Sequence, residues 1–168
     1  MKLHSLVVLI TLSGIRARLQ EQRSGESTIT RMESKTVLVT GANAGIGLET
    51  CRQVALLGAS KVILGCRSLQ KAEAAIDVLV TETERDKSTF MPLVIDTSSN
   101  GSCRAAVAAV GELGDVTAVD YLVMNAGGIG TTPREITESG AACLFAQNVI
   151  GHAVLVEVRD DAVTLNSL

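Results

Sequence analysis

The 168-residue chain is predicted to fold as an α/β domain built on a parallel, doubly wound sheet, truncated after about four strands. Three observations predict this. Short, β-branched apolar runs alternate with helical patterns of roughly 10–15 residues, the arrangement of right-handed βαβ crossovers. Aromatic side chains are nearly absent: there is no Trp, Tyr121 is the only Tyr, and Phe90 and Phe145 are the only Phe. The core must therefore be Val, Ile, Leu and Ala, which suits strands buried on both faces by helices. Finally, the first strand candidate runs straight into a Gly-rich turn and a helix.

Composition narrows the function classes. With 46% hydrophobic residues and a formal charge of -3, the chain is expected to form one domain around its own core. Mild acidity and the lack of a Lys/Arg cluster argue against a nucleic-acid partner. Cys51, Cys66, Cys103 and Cys143 are widely spaced, with no C-x-x-C pair and no His/Cys ligand spacing. Neither a metal site nor a disulfide framework is expected; reduced, mostly buried thiols are.

The segment 1–31 differs in character from the rest of the chain. Lys2 precedes a short apolar run from Leu6 to Leu12, and Arg16, Arg18, Arg23 and Arg31 come after it. The run is far below the roughly 20 apolar residues that span a bilayer. Two readings stand: a secretory or surface-anchoring segment that would bring membrane association and endomembrane or organelle targeting, or an upstream extension outside the folded domain of a cytoplasmic protein. Met32 is an ordinary start under the second. Residues 32–157 are assigned to the domain and 158–168 to an unassigned tail.

From Thr36 the pattern is regular. Thr36 to Thr40 reads as a strand, and Ile46 to Leu57 as a helix ending at Gly58, with Ile46, Val54 and Leu57 among its apolar positions. Lys61 to Gly65 reads as a second strand, and Ser68 as the N-cap of a charged helix running to about Glu84. Phe90 to Ile95 is a third strand. Ser98 or Ser99 caps an Ala-rich helix through Val110. Val119 to Met124 is a fourth strand, Asn125 to Gly128 the loop after it, and about Gly140 to Glu157 a last helix.

The chemistry begins at Thr40-Gly41-Ala42-Asn43-Ala44-Gly45-Ile46-Gly47, between strand and helix. Glycines let a backbone turn sharply and approach a pyrophosphate, while the helix N-terminus offers unpaired N–H groups and the positive end of its dipole. The spacing is G-x-x-x-G-x-G rather than the G-x-G-x-x-G of the common dinucleotide fingerprint. At the end of the second strand, Gly65-Cys66-Arg67-Ser68 carries no acid to bond a ribose 2′-hydroxyl. Arg67 can pair bidentately with a 2′-phosphate, and Ser68 can add a hydrogen bond. NADP is therefore expected over NAD. Asp96-Thr97, Asn125-Ala126-Gly127 and Phe145-Ala146-Gln147-Asn148-Val149-Ile150-Gly151-His152 complete the series.

These five segments, in this order from about Thr36 to Glu157, resemble the short-chain dehydrogenase/reductase family. TGANAGIG and GCRSLQKAEAA look most like its retinol dehydrogenase and protochlorophyllide reductase branch. The resemblance implies a Rossmann-type fold and cofactor contacts at Thr40, Gly41, Asn43, Gly45, Ile46, Gly47, Arg67, Ser68, Asp96, Thr97, Asn125, Ala126 and Gly127. Asp96 would bond the adenine amine, and Asn125 would steady the sheet. Asn148 would help hold a proton-relay water as the one catalytic helper present, with His152 structural rather than catalytic.

The family pattern also has a Tyr with a Lys four residues on, and a Ser on the preceding strand. Tyr121 is followed four residues later by Asn125, and the last Lys is Lys87. The reading therefore expects an NADP-dependent oxidoreductase, moving hydride to or from a carbonyl, alcohol or conjugated double bond, present as an incomplete chain. A small-molecule substrate would join only in a completed protein, and the family dimer face is largely missing. The alternatives are a non-catalytic NADP(H)-binding module and a non-functional truncated product. The strand order 3-2-1-4 is expected, with strand four at an edge.

Overall fold

The computed structural model describes residues 31–114, 116–129 and 135–157. The readings of residues 1–30 and of the tail 158–168 lie outside the described residues. Four parallel strands, β1 (Thr36–Thr40), β2 (Lys61–Cys66), β3 (Phe90–Val94) and β4 (Tyr121–Val123), form one sheet in the expected order β3-β2-β1-β4. Between them lie α1 (Gly45–Leu56), α2 (Leu69–Thr83) and α3 (Asn100–Val110). The last helical stretch has three parts: α4 (Cys143–Phe145), a π turn (Ala146–Ile150) and α5 (Gly151–Glu157).

The strands read as unbroken apolar runs because both faces are covered. On β1, Val37 and Val39 join the core under α1 and α2, while Leu38 joins the core under α3 and α5. On β2, Val62 and Leu64 face the first side and Ile63 the second. Val39, Ile63 and Leu64 are fully buried, each worth about 1.5–3 kcal/mol relative to exposure. Three cysteines, Cys51, Cys66 and Cys103, are buried and Cys143 is half-buried. Among the described residues no helix is long and apolar enough to cross a membrane.

The structure corrects several boundaries. Strand β4 spans Tyr121–Val123, shorter than the predicted Val119 to Met124. At its start the Asp120 carboxylate accepts from Thr36 N and Lys35 Nζ, both at 2.9 Å; at its end the chain turns, with Asn125 N donating to Val123 O. Ser68 occupies the N-cap position of α2 without making a side-chain cap bond, whereas Ser99 caps α3 by accepting from Ser102 N at 3.2 Å. The last helix begins at Cys143 rather than Gly140, which instead closes a turn by donating to Thr137 O. Its interior is not a regular α-helix. Gly151 lies against the Thr97 backbone, where a Cβ would overlap the carbonyl.

Candidate functional site

An open cavity of about 330 Å³ lies at the carboxyl ends of the strands, where open α/β sheets bind ligands. Its floor is the turn after β1. Gly41 (φ +66°) and Gly45 (φ +56°) take left-handed conformations that bulkier residues rarely adopt. Gly41 N donates to Gly65 O at 2.8 Å, which holds the turn against β2. Gly47 is buried beneath the turn, and a Cβ there would overlap Gly41 O and crowd Asn125 Nδ2. The backbone around Ala44 and Gly45 is open, so the α1 N-terminus is accessible from the cavity.

One opposing wall is Asn125, Ala126 and Gly127. Thr40 fastens this wall from below. Its Oγ1 accepts from Asn125 N at 3.0 Å and Ala126 N at 2.9 Å. Asn125 Nδ2 returns two bonds, to Thr40 O at 2.9 Å and Gly41 O at 3.3 Å. The floor and the wall are thus one hydrogen-bonded unit spanning β1 and β4. Buried His152 completes it from the helical side, with Nε2 3.0 Å from Thr40 Oγ1 and Nδ1 3.4 Å from Asn148 O. Burial pushes the His152 pKa below its ordinary value, with the Asn148 carbonyl opposing, so the ring is neutral near pH 7.

The structure brings Gly41, Asn43, Ile46, Arg67, Thr97 and the Asn125–Gly127 segment to the cavity. Arg67 is exposed on the rim and forms no ion pair among the described residues. Ile46 is 72% exposed, so it borders the cavity rather than the core its helical position suggested. Thr40 and Gly47 lie behind the floor, and Ser68 is not on the lining. Asp96 is not brought to the lining either: its Oδ1 accepts from Ser98 N at 2.9 Å and Ser98 Oγ at 2.7 Å, closing the loop before α3. Asn148 sits in the π turn and clamps Gly128, accepting from its N at 3.0 Å and donating to its O at 2.9 Å.

Five lining residues were not among the expected contacts: Ala44, Gly65, Cys66, Ile95 and Gln147. Alternation along β2 could have found Cys66, and Gln147 stands one helical turn before Gly151. Burial raises the Cys66 thiol pKa, against the lowering effect of the Ala42 and Asn43 amides. Tyr121 is half-buried in β4 against the α1–α2 core, so the chain's only Tyr is not on the cavity lining.

Comparison with known proteins agrees with this geometry. A family model described as short chain dehydrogenase matches residues 35–158. Retinol dehydrogenase 13 of Homo sapiens is 34% identical over 158 residues, covering 93% of this chain and 46% of that protein. A WW domain-containing oxidoreductase of Danio rerio is 35% identical over 138 residues, covering 81% of this chain and 32% of that protein. Among solved structures, a metagenomic short-chain oxidoreductase in complex with NADP matches with a TM-score of 0.59 and 26% identity, covering 76% of this chain and 55% of that one. The chain therefore belongs to the short-chain dehydrogenase/reductase family of oxidoreductases, on the branch that includes the retinol dehydrogenases. It spans less than half the length of these curated relatives.

Proposed function

We propose that residues 32–157 form the NADP(H)-binding part of an oxidoreductase that moves hydride to or from a carbonyl, alcohol or conjugated double bond of a small molecule in the cytoplasm. The residues present fit the cofactor. Gly47 leaves a close-packed turn that a Cβ would disrupt, and the exposed amides at the start of α1 suit a pyrophosphate. When bound, the nicotinamide supplies the hydride acceptor or donor. The Asn125–Gly127 wall, fixed by Thr40, orients it, and Asn148 keeps that wall's continuation at Gly128 in place.

The observation that carries NADP over NAD is Arg67. Its guanidinium stands uncommitted on the rim at the end of β2, where no acid is present, and it matches a 2′-phosphate as a bidentate, charge-assisted donor. The test is a fluorescence titration of the 168-residue chain with NADPH and NADH. Arg67→Ala should weaken NADPH by about tenfold or more and NADH by less than about twofold. Equal weakening of both removes Arg67 from the phosphate site.

A second reading is a module that holds NADP(H) without chemistry, with Tyr121 supplying no proton at the cavity. A Tyr must reach the reacting atoms and have its ordinary pKa of about 10 lowered to exchange protons near neutrality. Tyr121 is directed into the core below the sheet's carboxyl edge.

A further inference from the structure

Proton counting at His152 points to a role that the motif alone does not show. The Nδ1 atom faces the Asn148 carbonyl oxygen at 3.4 Å. A carbonyl only accepts, so a hydrogen bond here requires the hydrogen on Nδ1. A neutral imidazole has one N–H, which leaves Nε2 bare. The contact of Nε2 with Thr40 Oγ1 at 3.0 Å is then a bond donated by the Thr40 hydroxyl. That assignment leaves both Thr40 lone pairs for the N–H groups of Asn125 and Ala126. The Val123 carbonyl, the other acceptor within reach of the Thr40 hydroxyl, is more distant at 3.3 Å. The opposite tautomer would set three N–H donors on one hydroxyl oxygen and a bare Nδ1 against a carbonyl oxygen.

We propose that His152, as the neutral Nδ1–H tautomer, is a positioning residue that couples the π turn to the cavity wall. The chain of bonds runs from the Asn148 carbonyl through the imidazole and the Thr40 hydroxyl to the Asn125 and Ala126 amides. It makes the direction of the Thr40 hydroxyl depend on the helical segment that bears Gln147 and Asn148. The Asn148 carbonyl that His152 contacts belongs to the π turn. Gly151 permits this by letting α5 approach the Thr97 backbone, which seats His152 beneath the wall. The consequence for affinity rests on the NADP(H) reading; the tautomer and the bond chain do not.

The test uses the 168-residue chain labelled with 15N at histidine; His4 and His152 are its only two. The His152 ring should show a protonated Nδ1 and a bare Nε2. His152→Phe should speed hydrogen exchange at the Asn125 and Ala126 amides by about tenfold, the scale of one lost buried hydrogen bond, and weaken NADPH binding by a similar factor. His152→Gln, whose carboxamide oxygen can still accept the Thr40 proton, should recover most of both effects. An Nε2–H tautomer overturns the proposal, as does a folded His152→Phe variant with wild-type exchange at both amides. If His152→Phe does not fold, the tautomer and the Gln variant decide. A wild-type chain that fails to bind NADPH overturns the cofactor reading, while tautomer and exchange still judge the positioning role.

Discussion

At position 47 the fold leaves room for a hydrogen atom and nothing larger, while at position 45 there is open space around a strained backbone. Two glycines of one motif are therefore required for different reasons. Gly47→Ala should destabilise the chain by about 1–3 kcal/mol through overpacking and abolish cofactor binding. Gly45→Ala should cost only about 1 kcal/mol, from its positive φ. Urea unfolding of both variants, with an NADPH titration, checks the pair. Spacing located both residues but could not rank them, because the atoms that crowd Gly47 include Asn125, from another strand's end.

His152 makes a prediction at the same scale. Its pKa is lowered by burial in the folded chain and returns to about 6.5 on unfolding. Above about pH 6.5 both states are neutral. Below it the unfolded chain takes up a proton that the folded chain resists, so stability falls with pH until the lowered folded value is reached. Urea midpoints measured from about pH 7.5 to about pH 5 should fall more for wild type than for His152→Gln. Parallel profiles would remove the residue as a source of acid sensitivity.

Among the elements, the helix starts show how far local sequence carries. Ser68 and Ser99 both precede helices and both have extended backbones. Only Ser99 makes the cap bond; Ser68 holds the N-cap position without one. Ser99→Ala should cost about 1 kcal/mol and Ser68→Ala a few tenths at most, read from thermal or urea unfolding. Equal losses would contradict the cap geometry. The strands and helices themselves were legible because unbroken apolar runs and helical spacing follow from burying two faces or one. The break in the last helix was not. It comes with the contact between Gly151 and Thr97, a pair that spacing within one segment does not connect.

For the whole molecule, the two cores on either side of the sheet should open together. Cys51 and Cys66 lie in one core and Cys103 in the other. Burial pushes the Cys51 thiol up to about 12, with the nearby Cys66 adding to the rise. Cys143 is only half-buried. In native buffer a maleimide should label Cys143 first, and the other three should react only through opening of the core, at rates that denaturant raises together. Early labelling of Cys103 alone would mean that the α3 side opens independently. Strand β4 adds a further feature at this scale: among the described residues it has a hydrogen-bonded neighbour on one side only.

Sequence by itself determined the class of fold, the strand order, the family and the position of the Gly-rich turn. Each of these depends on short-range patterns: apolar β-branched runs, the strand–turn–helix succession and the placement of glycines. Only the tertiary structure decided that Asp96 bonds Ser98, that Asn148 clamps Gly128 from a π turn, and that His152 reaches Thr40. Those outcomes depend on which groups meet across 20 or more positions, or on which of several nearby donors a carboxylate finds first. A hydrogen bond selects its partner by distance in space, and the chain order leaves that distance open until the sheet and its helices have packed.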